Sequence, residues 1–161
     1  RMADVENAES GGEVGPLALD QTELFIGMES EVLQKIAGRM AGGAYEPGTL
    51  VATEGTPGDC LFVIGQGSVE IIKGLGTPEE KKLSTVKAGG FFGEMSLIEN
   101  RARSASVRTL ERSIIYALKP ADLQEVAREE PHQCRIILIN IARGLSSRLR
   151  EMDEKFAAQS F

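Results

Sequence analysis

The chain has 161 residues, 42% of them hydrophobic and 26% charged, with a formal net charge of −6. That length fits one domain able to bury a sizeable core. The acidic balance argues against direct nucleic-acid binding, which needs a basic footprint, and no apolar run approaches bilayer-spanning length.

Residues 1–16 mix acidic and small residues with Gly11, Gly12 and Gly15. They read as a disordered acidic tail without a signal-peptide core. Arg1 ahead of Met2 reads as an expression scar, with Met2 the natural start of a nearly full-length chain. Apolar residues return at Leu17. "LDQTELFIGM" offers Leu24 and Phe25. "SEVLQKIAGRM" then sets Val32, Leu33, Ile36 and Met40 at helical spacing, with Ser30 as the expected N-cap.

After Gly42 the pattern changes. Pro47-Gly48, Gly55, Pro57-Gly58-Asp59, Gly65, Gly67 and Gly74 punctuate short apolar runs. "TLVAT", "CLFVI", "SVEIIK", "KKLSTVKAGG", "SASVRTLE" and "SIIYALK" predict strands of about five residues. Such spacing predicts a small barrel or jelly roll. Cys60 and Cys134 lie far apart and are expected as free packing thiols in a reducing, cytoplasmic compartment. His132 is the only histidine, and no CxxC or HExxH occurs. Zinc and non-haem iron sites are therefore not expected, and His132 is assigned to the surface or to capping.

Helix returns at Pro120, with Leu123, Val126 and Ala127 expected on one face. Pro131 predicts the next start. From there Leu138, Ala142, Leu145, Leu149, Met152 and Phe156 recur in steps of four and three, a heptad seam. Two readings fit: a helix packed on its own barrel, or a parallel dimer seam. Ile136, Ile137, Ile139 and Ile141 make the first half apolar on more than one face, so it is expected to touch both the barrel and a partner.

The β region is interrupted by "GGFFGEMSLIENRARSASV", residues 89–107. "GEMSLIEN" suffices for one or two helical turns. A helix start buried in a barrel presents N–H groups that need a partner, and Gly93 lets a ligand approach without a Cβ. Arg103 matches phosphate in fork geometry. Glu94 would repel a simple anion but can accept from a ligand hydroxyl. A ribose with its phosphate satisfies all three. The structural alternative is a glycine-rich turn with a solvated pair between Glu94 and Arg101 or Arg103.

"FGEMSLIENRARSASV" resembles the phosphate-binding cassette of cyclic nucleotide-binding domains, F-G-E-[LM]-[AS]-L, a short gap, then R-[STA]-A-[TSW]-V. "PGTLVATEGTPGDCLFVIGQGSVEI" is similar to that family's early strands. The likeness spans about residues 20 to 156 and is of the catabolite-activator and protein kinase A regulatory-subunit type. It implies a mainly β fold: a β-roll or jelly-roll barrel with N-terminal helices and a long C-terminal helix. Residues 17–131 would form the binding domain, and 132–161 the C-terminal helix that carries the candidate coiled-coil dimerisation seam.

The resemblance also implies roles. Glu94 would accept the ribose 2′-hydroxyl. Gly93, Met95 and Ser96 would offer backbone donors, with Phe92 and Ala105 beside them. Arg103 would pair with the cyclic phosphate and Ser104 would lie next to it, leaving Arg101 as a solvent-facing neighbour. Arg148, Met152 and Asp153 are the candidates for covering the base. Some guanine-selective members carry threonine after the phosphate arginine, and Ser104 matches it only in part, which favours cAMP over cGMP. No cofactor, no catalytic chemistry, no membrane and no direct nucleic-acid contact are expected; a nucleophile with a base partner is not visible. The expected partners are a cyclic nucleotide, a second copy through the C-terminal helix and an unknown effector protein. The alternatives are the sensor of a Crp-type transcription regulator or of a larger channel or kinase, and a cupin-like enzyme.

Overall fold

The computed structural model describes residues 19–159. The expected tail, and Leu17, lie outside the described residues. Twelve elements follow in the order α1 (Ser30–Ala37), β1 (Ala41–Tyr45), β2 (Leu50–Ala52), β3 (Leu61–Gln66), β4 (Ser68–Lys73), β5 (Lys81–Lys87), β6 (Phe91–Phe92), α2 (Glu94–Glu99), β7 (Ser106–Thr109), β8 (Ser113–Leu118), α3 (Pro120–Glu129) and α4 (Pro131–Gln159). The strands form two four-stranded antiparallel sheets, ordered β1-β8-β3-β6 and β2-β7-β4-β5. This is the mainly β roll with flanking helices that the sequence implied.

Strands β3, β6 and β8 of the first sheet are largely buried on both faces, so they read as nearly continuous apolar runs rather than alternating ones. Side chains still alternate across the pleat. Leu61, Val63, Phe91, Tyr116 and Leu118 face the helices, packing with Leu24, Phe25, Leu33, Ile36, Ile137 and Ile141. Phe62, Ile64, Phe92, Ile115 and Ala117 face the inside of the roll, against Val51, Val69, Val86 and Val107 of the second sheet. The two-residue strand β6 thus sends one ring to each core.

Several sequence expectations are corrected. Ser30 is the first helical residue of α1, not its cap; Glu29 holds that place and makes no side-chain cap bond. The Glu29 N–H instead donates to the Gln133 side chain on α4 at 2.8 Å, so a tertiary bond fixes the helix start. Met40 is buried but lies beyond the helix, which stops at Gly38. Ala127 is exposed, and of the expected face on α3 only Val126 is fully buried. The strand β1, "AGGAY", was not anticipated because two adjacent glycines weaken a strand; here β8 holds it in continuous register.

In α4, Ile137 and Ile141 are buried against the helix-side core, and Asn140 anchors to the N-terminal turn by donating to the carbonyls of Leu24 and Ile26. Leu145 packs on the same core. Leu138, Leu149, Met152 and Phe156 are exposed, so most of the seam is not covered by this chain's own barrel. His132 is exposed in the first turn of α4. Cys60 and Cys134 are buried and form no disulfide, and burial pushes the Cys134 thiol pKa up. Among the described residues, no helix is long and apolar enough to cross a membrane, and no cluster of three or more His, Cys, Asp or Glu is placed for a metal ion.

Candidate functional site

The site begins where β6 ends. Phe92 stacks on Phe62 with ring centroids 5.0 Å apart. Gly93 follows at φ +85°, and a Cβ there would fall 2.6 Å from Arg103 Nη1 and 3.2 Å from the Cys60 carbonyl oxygen. Only glycine fits both the backbone angle and the space. The chain then turns into α2, whose first residue, Glu94, is 2% exposed.

Arg103 approaches from the other side and is 5% exposed. Its Nη2 donates to the Cys60 carbonyl at 2.9 Å, and its guanidinium carbon lies 5.2 Å from the Phe62 ring centroid. Its backbone is clamped to the loop before β3: the Gly55 N–H donates to the Arg103 carbonyl at 2.9 Å, and the Arg103 N–H to the Thr56 carbonyl at 2.8 Å. The Ser104 carbonyl accepts from Lys73 Nζ at 2.6 Å. Lys73 also pairs with Glu54 at 2.6 Å, and the Gly74 N–H donates to the same carboxylate at 2.8 Å. The Lys73 hydrogen bond, helped by Gly74, lowers the Glu54 pKa. Arg101 is 80% exposed, with Glu99 at 3.5 Å, as its expected role of solvent-facing neighbour requires.

Gly93, Glu94 and Arg103 border one cavity of about 240 Å³. Phe92, Gly93, Glu94 and Met95 form one wall, and Arg103, Ser104 and Ala105 another. Ser96 belongs to α2, but its side chain lies outside the described ones. Ala52, Ile71 and Val107 give the roll side an apolar lining.

The helix α4 closes the cavity. Of the residues expected over the base, Met152 is on the wall; Asp153 is exposed and not on it. Arg148 is on the wall too, but its guanidinium pairs with Glu94 and donates to the Phe91 carbonyl. It also lies over the Phe91 ring, 5.3 Å from its centroid. Glu94 thus has a cation from α4 beside it, where the structural alternative supposed a solvated pair, and Arg101 lies with Glu99 instead. Leu145, Leu149 and Glu151, which fall within the stretch from Leu145 to Asp153 expected at the base end though not foremost there, complete the wall with Leu83 and Ser84 from β5, which the sequence did not single out. The heptad carried a signal for Leu145 and Leu149, open there between packing on the barrel and a dimer seam. Glu151 lies one turn from Arg148, on the same face. Lys155 Nζ donates to the Leu83 carbonyl at 3.2 Å, tying the far part of α4 to β5.

The cavity combines a buried carboxylate, a buried guanidinium and an apolar remainder. It can hold an amphiphile with a hydroxyl and an anionic group a few ångströms apart.

Comparison with known proteins agrees with this geometry. Residues 43–130, more than half of the chain, match the family model described as the cyclic nucleotide-binding domain. A curated relative, the cGMP-dependent protein kinase isozyme 1 of Drosophila melanogaster, is 35% identical over 98 residues, covering 60% of this chain and 13% of that kinase. The chain thus spans a small part of the curated relatives it matches. Among solved structures, a cyclic nucleotide-binding domain from Methylobacillus flagellatus KT matches with a TM-score of 0.79 and 26% identity, covering 90% of this chain and 82% of that one. The Thermus thermophilus catabolite activator protein matches with a TM-score of 0.71 and 29% identity, covering 86% of this chain and 63% of that one.

Proposed function

The chain belongs to the cyclic nucleotide-binding domain family, and from that premise we propose that it is a regulatory module whose cavity takes a cyclic nucleotide, cAMP in preference to cGMP. Arg103 and the backbone N–H groups of Gly93, Met95 and Ser96 receive the cyclic phosphate, with Ser104 beside it. Glu94 accepts the ribose 2′-hydroxyl. Phe92 and Ala105 shape the floor, and Met152 with Leu145 and Leu149 covers the base. Residues 17–131 act as the binding domain and 132–161 as the helix that responds.

The observation that carries the reading is the meeting of a buried Glu94 and a buried Arg103 in one cavity with Gly93 between them. Arg148 adds to it. A carboxylate and a phosphate would repel in a confined space, yet Glu94 is matched by the Arg148 guanidinium. Arg148 takes Oε1, and a carboxylate retains further lone pairs for a ribose hydroxyl.

Because α4 supplies one wall, occupancy biases how α4 packs, a population shift between two arrangements. Its exposed seam offers the output surface, a homodimer contact or an effector protein. The module is a binding element and not a catalyst. Calorimetry with cAMP, cGMP and a cyclic dinucleotide tests the reading: cAMP is expected to bind most tightly, and no heat from any of the three overturns it.

A second reading is favoured by the partial coverage of the relatives: the module serves as the sensor of a Crp-type transcription regulator or of a larger channel or kinase. Sequencing the gene beyond the codon for Phe161 tests it. An in-frame helix-turn-helix supports the regulator, and an immediate stop codon removes it.

A further inference from the structure

Phe91 is fully buried on the helix side of the first sheet, and two residues of α4 grip it. Gly144 lies against its ring, where an added Cβ would fall 2.6 Å from Cζ and 3.1 Å from Cε1. One turn later, on the same helix face, Arg148 covers the ring, donates to the Phe91 carbonyl and pairs with Glu94.

A glycine inside a helix is unfavourable, because it loses more backbone freedom than any other residue. Gly144 is the only glycine in the 29 residues of α4. Its position is explained by the ring. Carbon atoms pack at about 3.5–4.0 Å, so a methyl group at residue 144 requires roughly 1 Å of displacement. Phe91 is 0% exposed, pairs with Val63 in the sheet and shares its core cluster with Leu61, Tyr116 and Ile141, so it has little room to yield. The helix must move instead. Charge-assisted hydrogen bonds of the kind Arg148 makes span only about 2.7–2.9 Å, so that shift breaks them.

We infer that Gly144 is a positioning residue for ligand binding: it lets α4 seat on Phe91, and the seat is what brings Arg148 to Glu94. The ligand named here rests on the function proposed above; the seat itself rests on the Gly144–Phe91 contact alone. The glycine acts through Phe91 and Arg148 and has no need to touch the nucleotide.

The test uses the full chain with spin labels at Lys81→Cys, on β5, and Glu154→Cys, on α4, both exposed positions. Electron-paramagnetic distances are read without nucleotide, and cAMP affinity is read separately. Gly144→Val is expected to lengthen and broaden the label distance and to weaken cAMP binding at least tenfold. Adding Phe91→Leu, which vacates the space, is expected to restore both. An unchanged distance in Gly144→Val, or a distance that Phe91→Leu fails to restore, overturns the proposal. Gly144→Ala keeps the question decidable if the valine variant does not fold. Helix propensity alone would raise its melting temperature, so a raised value overturns the proposal and a lowered one supports it. If the parent chain binds no cyclic nucleotide, the proposed function fails while the distances still decide the role of Gly144.

Discussion

The guanidinium of Arg148 is paired with the carboxylate of Glu94, 54 residues earlier in the chain. One group belongs to the long C-terminal helix and the other to the short helix at the edge of the cavity. Glu94 is 2% exposed at its side chain and Arg148 is 26% exposed.

Arg148→Ala removes the cation and leaves a buried carboxylate without it. Breaking a fully buried pair costs about 3–5 kcal/mol; the partial exposure of Arg148 reduces the expected loss of folding stability to about 2 kcal/mol. With the carboxylate no longer matched, an anionic ligand meets more repulsion, and cAMP affinity is expected to fall about tenfold, or about 1.4 kcal/mol. Urea denaturation and calorimetry on one preparation read both. Affinity equal to the parent would show that Arg148 serves the helix alone.

Arg103→Ala is expected to cost roughly 2–5 kcal/mol of nucleotide binding, as truncation of a buried charge partner does. Arg103→Lys keeps the charge but loses the fork that serves the Cys60 carbonyl and a phosphate together, so an intermediate affinity is expected. Circular dichroism must show both variants folded. Parent-like binding by Arg103→Ala would remove the phosphate assignment.

Glu54 gives a pH dependence. Its pKa is lowered in the folded protein, first by Lys73 and then by the Gly74 N–H. A carboxylate with a depressed folded value contributes stability that is present above its unfolded value and is lost as pH falls through the folded one. The acid limb of a stability profile below the ordinary value of 4.5 is therefore expected to be shallower in Glu54→Gln. Because Lys73 also holds the Ser104 carbonyl, nucleotide affinity should weaken over the same acid range in the parent. Superimposable acid limbs would refute the linkage.

The exposed seam predicts self-association. Leu138 is 50% exposed and Phe156 75% exposed. Neither lines the cavity, and circular dichroism must show the variant with Leu138→Asp and Phe156→Asp folded. Sedimentation is expected to show a dimer for the parent and a monomer for the double variant. A monomeric parent at tens of micromolar would leave the seam to another partner.

Much of the fold was legible in sequence because glycine turns punctuate the strands and the strands are the right length. Glu94 and Arg103 could be read because they lie nine positions apart, with Gly93 beside them, in one recognisable stretch. Arg148 was picked out but assigned to the base end. Its contact with Glu94 depends on the path of α4, which the helical pattern of α4 alone does not report. The contact between Gly144 and Phe91 spans the same gap; a glycine within a helical pattern by itself marks only a weak point of the helix. The strand β1 was hidden by Gly42 and Gly43, whose pairing with β8 is a tertiary matter.

The strand β6 is two residues long, and its rings belong to different compartments: Phe92 to the cavity and Phe91 to the seat of α4. They share one peptide unit, and no further β6 residue lies beside them to absorb a displacement. A nudge to the Phe92 ring by a bound molecule therefore has a short way to travel, straight through the thickness of the sheet. The fold in effect has a thin diaphragm there, with the cavity on one side and the helix resting on the other.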